Sequence, residues 1–418
     1  MARLQAPRGT FDVLPDDARR RRALATLAED VFGRAGYAPM DTPVFEDTDL
    51  FARGVGASTD IVQKEMFTFE DQGGRSLTLR PEGTAPVCRA YVEHGLHRLP
   101  QPFRCWYLGP FFRHERPQTG RFRQFTQIGA EALGSDDPSL DAEVILLLAE
   151  LLERAGARGL RLRLGSLASP ETRRAYGEEL RAFLRGRADE LSGDVRARLD
   201  TNPLRAFDSD HPGTRRVTAD APNLLDRLQP GDAEHFAAVR ALLDDAGLAY
   251  EVDPALVRGL DYYTRTVFEF TSDALGAQSG VGGGGRYDRL VEELGGPPTP
   301  GVGWAAGIER ILLAAGEPAA EPAPPVFVAL EGPAGRVEAF RLVRLLRAES
   351  VRAEMEQAGR SLKGQLRHAA RVGAPFVIIV DEDGGMRVRD MARRDERAVG
   401  GAAEAMRMVA GILDGTPA

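Results

Sequence analysis

The segment FRCWYLGPFFRHERPQTGRFRQFTQIGAEA, residues 103–132, decides the fold of this chain. Its first part, Phe103–Phe112, is aromatic and favours a β-strand, and its last part, Arg121–Ala132, predicts a second extended stretch. The polar residues 114–120 between them include a proline and a glycine, which are typical of a loop. The segment therefore predicts a long hairpin of two strands joined by a charged loop.

Polar and aromatic side chains share one face of the second predicted strand. Because side chains alternate across a strand, Arg123, Phe125 and Gln127 share a face that continues through Gly129 to Glu131. Such a face makes a poor core, whereas arginine forks and an aromatic ring suit phosphate oxygens and a purine base. A solvated, salt-bridged hairpin is the alternative interpretation, but it would not need the aromatic residues. We therefore expect a nucleotide-binding face here.

Helical patterns lie on both sides of the hairpin. Asp16–Phe32 predicts an amphipathic helix, and Asp141–Ala155 predicts another with an acidic first turn. Tyr37–Phe45 is extended and contains two prolines, which suit an edge or interface strand. Residues 169–250 are helical, arginine-rich and poor in glycine, so we expect an inserted helical module.

Strand signals return after this module. Leu256–Phe270 predicts a strand, Arg286–Leu294 a helix, and Trp304–Ala315 a buried helix that starts from glycines. The glycine run at 280–285 satisfies G-x-G-x-x-G, but the acidic residue expected about twenty positions later in a strand–helix unit is missing. A nicotinamide-dependent enzyme is therefore poorly supported, and we expect these glycines to let the backbone approach a ligand or a neighbouring strand.

A proline- and alanine-rich linker, Glu317–Pro325, predicts the main domain boundary. Beyond it, Val326–Leu330 and Phe376–Val380 predict strands, and apolar residues at helical spacing between Ala339 and Leu346 predict a helix. This alternation is typical of a small α/β domain. We therefore expect one domain over 1–320 and a second over 326–418.

Composition limits the class of protein. The chain has 418 residues, 43% of them hydrophobic, and a net charge of −8, so any nucleic-acid contact needs a local basic surface. Two cysteines are too few for a disulfide framework, which indicates a reducing, cytoplasmic compartment. The N-terminal residues lack the apolar segment of a signal peptide, and no apolar stretch is long enough to span a membrane. His94 and His97 are spaced i, i+3, but no third ligand or partner acid is obvious, so we expect surface residues and no metal site.

Two further blocks hold candidate binding residues. Glu82 and Thr84 lie two residues apart beside a glycine, so they could meet one small ligand; equally, they could cap the helix that follows. Tyr262 and Tyr263 follow Arg258, and tyrosines line pockets that need both an apolar wall and a hydroxyl. A tyrosine-rich strand edge is the alternative for the second block.

Taken together, these blocks resemble the histidyl-tRNA synthetase family. The resemblance follows the chain in order through RGTFDVLP (8–15), RPEGTA (80–85), FRHERPQTGRFRQF (112–125), LVRGLDYYTRTVFEF (256–270), GGGGRYDRLVEELGG (282–296), GVGWAAGIERIL (301–312) and SLKGQLRHAARVGAPFVIIV (361–380). The third and sixth blocks look like class II motifs 2 and 3. The resemblance implies an α+β class II synthetase core, an antiparallel sheet with flanking helices and a helical insertion. It also implies a C-terminal α/β anticodon-binding domain.

The resemblance also implies roles for individual residues. The catalytic residues would be Arg113 and Arg258. The histidine-binding residues would be Glu82, Thr84, Gln127, Glu131, Tyr262, Tyr263 and Tyr287. The ATP-binding residues would be Arg113, Glu115, Arg121, Phe125 and Arg310. The loop over the tRNA acceptor end would contribute Arg116, Gln118, Arg121 and Arg123.

The activity implied by the resemblance is activation of histidine with ATP to histidyl-adenylate and transfer to the 3′ end of tRNA(His). Mg²⁺ would arrive with ATP, and the Pro43 region would form a homodimer interface. The alternative is the non-catalytic regulatory subunit of ATP phosphoribosyltransferase, a related family that typically lacks the anticodon-binding domain and loses the arginine blocks. Arg113, Arg258 and Arg310 are all present, which disfavours that alternative.

Overall fold

The computed structural model describes residues 3–56, 59–276, 279–316 and 326–413 of the chain, without the side chains of 410–413. The chain divides into two compact units, Met1–Glu317 and Pro318–Ala418. The predicted linker Glu317–Pro325 lies outside the described residues.

The first unit is built on strands from many parts of the chain. In chain order the described strands are β1 (Ala38–Pro39), β2 (Phe45–Asp47), β3 (Phe67–Glu70), β4 (Ser76–Leu79), β5 (Phe103–Phe112), β6 (Gln124–Leu133), β7 (Leu160–Ser166), β8 (Glu251–Val252), β9 (Thr264–Ser272), β10 (Gly280–Arg286) and β11 (Gly301–Gly307). Its described α-helices are α1 (Pro15–Arg34), α2 (Thr48–Phe51), α3 (Thr84–Glu93), α4 (Pro138–Arg154), α5 (Pro170–Arg185), α6 (Gly193–Arg198), α7 (Pro212–Ala219), α8 (Pro230–Asp245), α9 (Leu290–Glu293) and α10 (Ile308–Ala315).

One eight-stranded sheet organises this unit, in the order β1-β5-β6-β11-β10-β9-β7-β8. Its six central strands are antiparallel, and only the short edge strands β1 and β8 pair in parallel with their neighbours. A separate antiparallel sheet has the order β2-β4-β3. The predicted antiparallel sheet with flanking helices is confirmed, with the parallel edges as the one difference.

The predicted hairpin forms the centre of the large sheet. β5 and β6 pair from Phe103 opposite Leu133 to Phe112 opposite Gln124, without a break in register. Ile128 and Ala130 point into an apolar core that β6 shares with α1, α4 and α8. The opposite face of the hairpin is therefore left for the polar residues that the alternation predicted.

Three predictions between residues 256 and 315 are partly wrong. The strand begins only at Thr264, and Trp304–Gly307 belong to β11 rather than to a helix. The helix predicted over Arg286–Leu294 is limited to Leu290–Glu293, because Arg286 is the last residue of β10. The small residues of β10 and β11 look like helix-packing positions, but they serve close contact between strands. A Cβ at Gly284 would overlap the carbonyl oxygen of Gly303 on the neighbouring strand.

The predicted helical insertion is confirmed. Between β7 and β8 the chain forms α5, α6, α7 and α8 with short 3₁₀ turns, and residues 167–250, all of which are described, contain no strand. Prolines at the first turn open α5, α7 and α8, where the missing N–H costs nothing.

The second unit is a small α/β domain. Its strands are β12 (Val326–Leu330), β13 (Ala353–Met355), β14 (Phe376–Val380), β15 (Met386–Asp390) and β16 (Glu396–Val399), and its described α-helices are α11 (Arg336–Ala348), α12 (Leu362–Arg371) and α13 (Ala402–Leu413). The sheet order is β13-β12-β14-β15-β16, parallel over the first three strands and antiparallel over the last two pairs. Nowhere in the described chain does a helix combine the length and apolarity needed to cross a membrane.

We predict that Gly284→Ala destabilises the first unit by about 2–3 kcal/mol, because the added methyl group overlaps the backbone of β11. Gly177→Ala is the matched control. Gly177 lies within α5 and a Cβ there has no neighbour within 4 Å, so this variant should gain about 0.5–1 kcal/mol. Urea unfolding curves measure both changes, and equal stability of the two variants would contradict this account of β10.

Candidate active site

A buried carboxylate lies at the centre of the large sheet. Glu131, on β6, has no exposed surface. Its Oε1 accepts hydrogen bonds from Thr84 Oγ1 at 2.7 Å and Tyr107 Oη at 3.3 Å, and its Oε2 accepts one from Tyr287 Oη at 2.5 Å. Burial raises the pKa of Glu131 to about 8, although these donors lower it. Glu131 therefore shares a pocket with three hydroxyl groups and can hold a proton near neutral pH.

A second buried carboxylate borders the same pocket. Glu82 accepts hydrogen bonds from the backbone N–H groups of Thr84 at 2.7 Å and Ala85 at 2.9 Å, and one from Tyr262 Oη at 3.3 Å. The capping alternative for this block is thus realised at the start of α3, and the contact of Glu82 with Tyr262 leaves its role as a ligand-binding residue a prediction. Burial raises the pKa of Glu82.

Tyrosines close the pocket. The ring centroids of Tyr262 and Tyr263 lie 4.7 Å apart, and Tyr287 packs edge-on against Tyr262 at 5.8 Å. All three are buried. Tyr107 is a pocket residue that the sequence analysis missed, because several other residues of β5 are also aromatic and nothing distinguishes it from them. Gly83 and Gly129 are required beside it, because a Cβ at either position would overlap its ring.

A cleft of about 460 Å³ on the same sheet collects the predicted nucleotide-binding residues. Its lining residues include Arg113, Glu115, Arg121, Phe125, Gln127, Arg258, Glu269 and Arg310. Gln127 therefore lines this cleft, and its Oε1 is buried without a hydrogen-bond partner. The hairpin thus places its polar face along one open groove.

Arg113 and Phe125 form one wall of the cleft. Arg113 donates through Nε to Pro81 O at 2.8 Å, and its guanidinium lies 5.5 Å from the centroid of the Phe125 ring. Glu115 lies 3.3 Å from Arg121 and 3.8 Å from Arg113. This wall offers arginine donors for phosphate oxygens and an aromatic ring for a base.

Arg258 and Arg310 lie on other sides of the same cleft. Arg258 Nη1 donates to Glu269 Oε1 at 2.9 Å, while its Nε is buried without a partner. Burial opposes the charge of Arg258, yet Glu269 keeps its pKa above the ordinary value. Arg310 donates to the carbonyl oxygen of Gly280, and burial lowers its pKa. Glu269 was not a predicted site residue, because its role requires the pairing of β9 with the rest of the sheet.

The loop of the hairpin carries the predicted acceptor-end residues. Arg116, Gln118 and Arg121 are exposed, and the last two form a β-bridge that narrows the loop. Arg123 instead packs on Gly9 and donates to the carbonyl oxygen of Glu115 at 3.4 Å. The prediction that Arg123 shares the face of Phe125 and Gln127 is therefore wrong, because β6 begins only at Gln124 and Arg123 does not line the cleft.

No metal-binding cluster accompanies these residues. In the described part of the chain, no group of three or more His, Cys, Asp and Glu side chains is placed to hold a metal ion. The two cysteines, Cys88 and Cys105, are free thiols buried beneath the pocket.

Comparison with known proteins adds to this geometry. A family model described as histidyl-tRNA synthetase matches residues 9–311, and one described as anticodon binding domain matches residues 326–407. The chain is 50% identical to the histidine–tRNA ligase of Rubrobacter xylanophilus, over 97% of this chain and 99% of that one. It is 47% identical to that of Thermosynechococcus vestitus, over 94% and 93%.

Solved structures agree with the sequence comparison. The apo histidyl-tRNA synthetase of S. aureus matches with a TM-score of 0.80 and 34% identity, over 98% of this chain and 99% of that one. A Bacillus halodurans protein, described as an ATP phosphoribosyltransferase regulatory subunit/histidyl-tRNA synthetase, shares the fold at a TM-score of 0.66 and 23% identity, over 90% and 98%.

The six-stranded antiparallel centre, its motif 2 hairpin and the arginine-lined cleft define the catalytic core of a class II aminoacyl-tRNA synthetase. The family match and the identities to these relatives narrow the assignment further. The chain belongs to the histidyl-tRNA synthetase family.

Proposed function

We propose that this chain is a histidine–tRNA ligase that activates histidine with ATP and transfers it to tRNA(His). One observation carries the proposal: a carboxylate pocket and an arginine-lined cleft occupy the same face of one sheet, with Glu131 and Gln127 both on that face of β6. In this proposal residues 1–320 form the catalytic core, and residues 326–418 form the anticodon-binding domain.

The carboxylate pocket suits the two cationic ends of histidine. Glu131 and Tyr287 can hold the imidazole ring, and Glu82 with Thr84 can hold the α-ammonium group. The tyrosine rings around them exclude water, which strengthens each of these polar contacts. A larger or purely apolar side chain would leave Glu131 buried without its partner.

The arginine-lined cleft suits ATP. Phe125 offers a ring for adenine, and Arg113, Arg258 and Arg310 offer donors for phosphate oxygens. Four carboxylates line the cleft, and three of them, Glu115, Glu269 and Glu309, form ion pairs with arginines. Mg²⁺ would therefore enter bound to the triphosphate rather than in a site built by the protein.

The chemistry follows from this arrangement. A histidine carboxylate oxygen attacks the α-phosphorus, the bond to pyrophosphate breaks, and histidyl-adenylate forms. The terminal adenosine hydroxyl of tRNA then attacks the acyl carbon, and AMP leaves. Negative charge grows on the phosphoryl oxygens, so fixed arginines such as Arg113 and Arg258 lower the barrier. No side-chain nucleophile is needed, and most of the acceleration comes from positioning.

We also propose a homodimer and a cytoplasmic location. Val44, Phe45 and Phe69, on and beside the small sheet, are 38%, 50% and 44% exposed, which is unusual for large apolar side chains so close together. This surface includes the Pro43 region predicted for a subunit interface. Unpaired, buried thiols are consistent with a reducing compartment.

The regulatory subunit of ATP phosphoribosyltransferase is the alternative function. Such a subunit would have no need for three arginines around one cleft, and Arg113, Arg258 and Arg310 all line it. The match of residues 326–407 to an anticodon binding domain also favours the ligase.

Histidine-dependent ATP–pyrophosphate exchange tests the proposal. We expect the purified chain to catalyse exchange with histidine and with none of the other amino acids. Arg258→Ala should reduce exchange by about 10²–10³-fold, because it removes a fixed donor from the developing charge. Arg161→Ala, which breaks the exposed pair with Asp273, is the control and should exchange normally. Absence of exchange in the folded wild-type chain would instead favour the regulatory subunit.

The raised pKa of Glu131 predicts a bell-shaped pH dependence of histidine affinity. Free imidazole has a pKa of about 6.5, and burial raises that of Glu131 to about 8. Between these values the two groups together carry one proton, which is the number that a carboxylate–imidazolium pair needs. Below this window one proton must be released on binding, and above it one must be taken up. We therefore expect 1/KM for histidine to peak at roughly pH 6.5–8.

Glu131→Gln is the informative variant, because it removes the titrating carboxylate while keeping a similar shape. Its histidine KM should be higher throughout and should lose the decline above about pH 8. An unchanged alkaline limb in this variant would assign the titration to another group.

The second unit has a cleft suited to tRNA. It has a volume of about 630 Å³ and lies at the carboxyl ends of β12 and β13, where ligands bind in parallel sheets. Arg336, Phe340 and Arg360 line it, and Phe340 is 52% exposed. An exposed ring and two guanidinium groups in one cleft are suited to unpaired bases and their phosphates.

We predict that Phe340→Ala and Arg336→Ala raise the KM for tRNA about tenfold or more in aminoacylation, because stacking on one base contributes roughly 1–3 kcal/mol. Histidine-dependent exchange should not change. Arg344→Ala, on the same helix but outside the cleft, is the matched control. Equal effects of Arg336→Ala and Arg344→Ala would exclude this cleft as the tRNA site.

A further inference from the structure

A fully buried ion pair lies directly behind the tyrosine pocket. Arg286, at the end of β10, and Asp141, on α4, have no exposed side-chain surface. Arg286 Nε donates to Asp141 Oδ2 at 3.1 Å, its Nη2 donates to the same oxygen, and its Nη1 donates to Ser135 O at 3.0 Å. Removing two charges from water costs several kcal/mol each, so such a pair needs all of these bonds.

The pair is anchored on the helical insertion. His235, on α8, lies with Nε2 3.2 Å from Asp141 Oδ1. Burial acts against the charge of Asp141, but hydrogen bonds from His235 and Arg286 hold its pKa below the ordinary value. The carboxylate is therefore a fixed anion that joins α8, α4 and β10.

Arg286 also connects the ion pair, through Asp288, to Thr264 at the start of β9. Its Nη1 donates to Asp288 Oδ1 at 3.1 Å, and Asp288 Oδ2 accepts a hydrogen bond from Thr264 Oγ1 at 3.3 Å. The backbone N–H of Asp288 returns a bond of 3.3 Å to the same hydroxyl. Arg286 and Thr264 are paired across the sheet, so Asp288 closes a link between two strands.

This link between Asp288 and Thr264, the clamp, joins two segments that carry pocket tyrosines. Tyr287 lies between Arg286 and Asp288, and its hydroxyl reaches Glu131. Tyr263 directly precedes Thr264. Its ring packs at a tilt against Tyr262, which in turn contacts the Tyr287 ring. If the clamp opens, both sides of the pocket can separate while the sheet itself remains paired.

We propose that Asp288 and Thr264, oriented by Arg286, are positioning residues that set the affinity of this pocket for the amino acid. This inference rests on the proposed function. Neither residue lines the arginine cleft, so the clamp acts on the amino-acid end and leaves the ATP end unchanged. Its signature is a change in the KM for histidine that is separate from kcat and from the KM for ATP.

The test measures exchange kinetics of the full-length chain. Asp288→Ala removes the link, and we expect it to raise the KM for histidine about tenfold, with kcat and the KM for ATP within about twofold, as for loss of one buried hydrogen-bonded contact. Thr264→Val, which keeps the side-chain shape, should have the same effect. The double variant should be no worse than either single variant, because both remove the same link.

Two conservative variants separate positioning from general destabilisation. Asp288→Asn can still accept from Arg286 and bond to Thr264, and Thr264→Ser keeps the hydroxyl, so both should restore most of the histidine affinity. Asp253→Ala, which breaks the partly buried pair with Arg163 at the edge of the sheet, is the matched control and should leave the KM for histidine unchanged.

Each outcome bears on a different conclusion. Unchanged histidine KM in both Asp288→Ala and Thr264→Val, or parallel increases in the KM for histidine and for ATP, would overturn the inference. Purely additive effects in the double variant would overturn the single link. Absence of exchange in the wild-type chain would overturn the proposed function instead, so the two failures can be distinguished.

Discussion

The buried carboxylate of Glu131 is the constraint around which the catalytic unit is arranged. A carboxylate without exposed surface is costly unless donors surround it, and its donors come from α3, β5 and the residue after β10. These segments are far apart in the sequence, so the pocket exists only when the whole sheet is assembled. The high pKa of this carboxyl shows that its donors offset only part of the cost of burial. A cationic ligand would supply the rest, which would link the stability of the empty pocket to the proposed binding of an imidazole ring.

Two glycines of β11 are required by the positions of that carboxylate and of Tyr287. A Cβ at Gly303 would overlap Glu131 Oε2, and one at Gly301 would overlap the ring of Tyr287. Glycine at these positions is therefore needed for the pocket, not for flexibility. The cost is a weak strand, since glycine loses more conformational freedom than any other residue on folding. Pairing with β6 and β9 on either side compensates for it, which explains why these strands lie at the centre of the sheet rather than at an edge.

The elements that were predicted correctly are those whose residue pattern lies within one short stretch of sequence. The hairpin of β5 and β6, the helix before it and the strands β12 and β14 were predicted because alternation, helical spacing and turn residues are all encoded within about twenty positions. The glycine-rich segments were assigned partly to helix because small residues satisfy helix packing and strand packing equally well. Tyr107 and Glu269 were missed for a different reason: their roles depend on which strands become neighbours, and no single segment specifies that. The cleft residues were found through family resemblance, and their assembly depends on the same pairing.

The positions of the carboxylates and arginines along β6 give a physical reason for a defined orientation of the amino acid in the proposed reaction. The pocket end presents Glu82 and Glu131, whereas the cleft end presents Arg113, Arg258 and Arg310. In the proposed function, a zwitterionic amino acid between them would be oriented with its ammonium group towards the carboxylates and its carboxylate towards the arginines, where the α-phosphate of ATP would lie. In this proposal Arg258 would contact both anions, and its buried Nε, which has no hydrogen-bond partner, is a donor available to them. In the proposed mechanism the arginines both orient the amino acid and stabilise the transition state. A residue that only holds the pocket in shape can therefore change affinity without changing the chemical step.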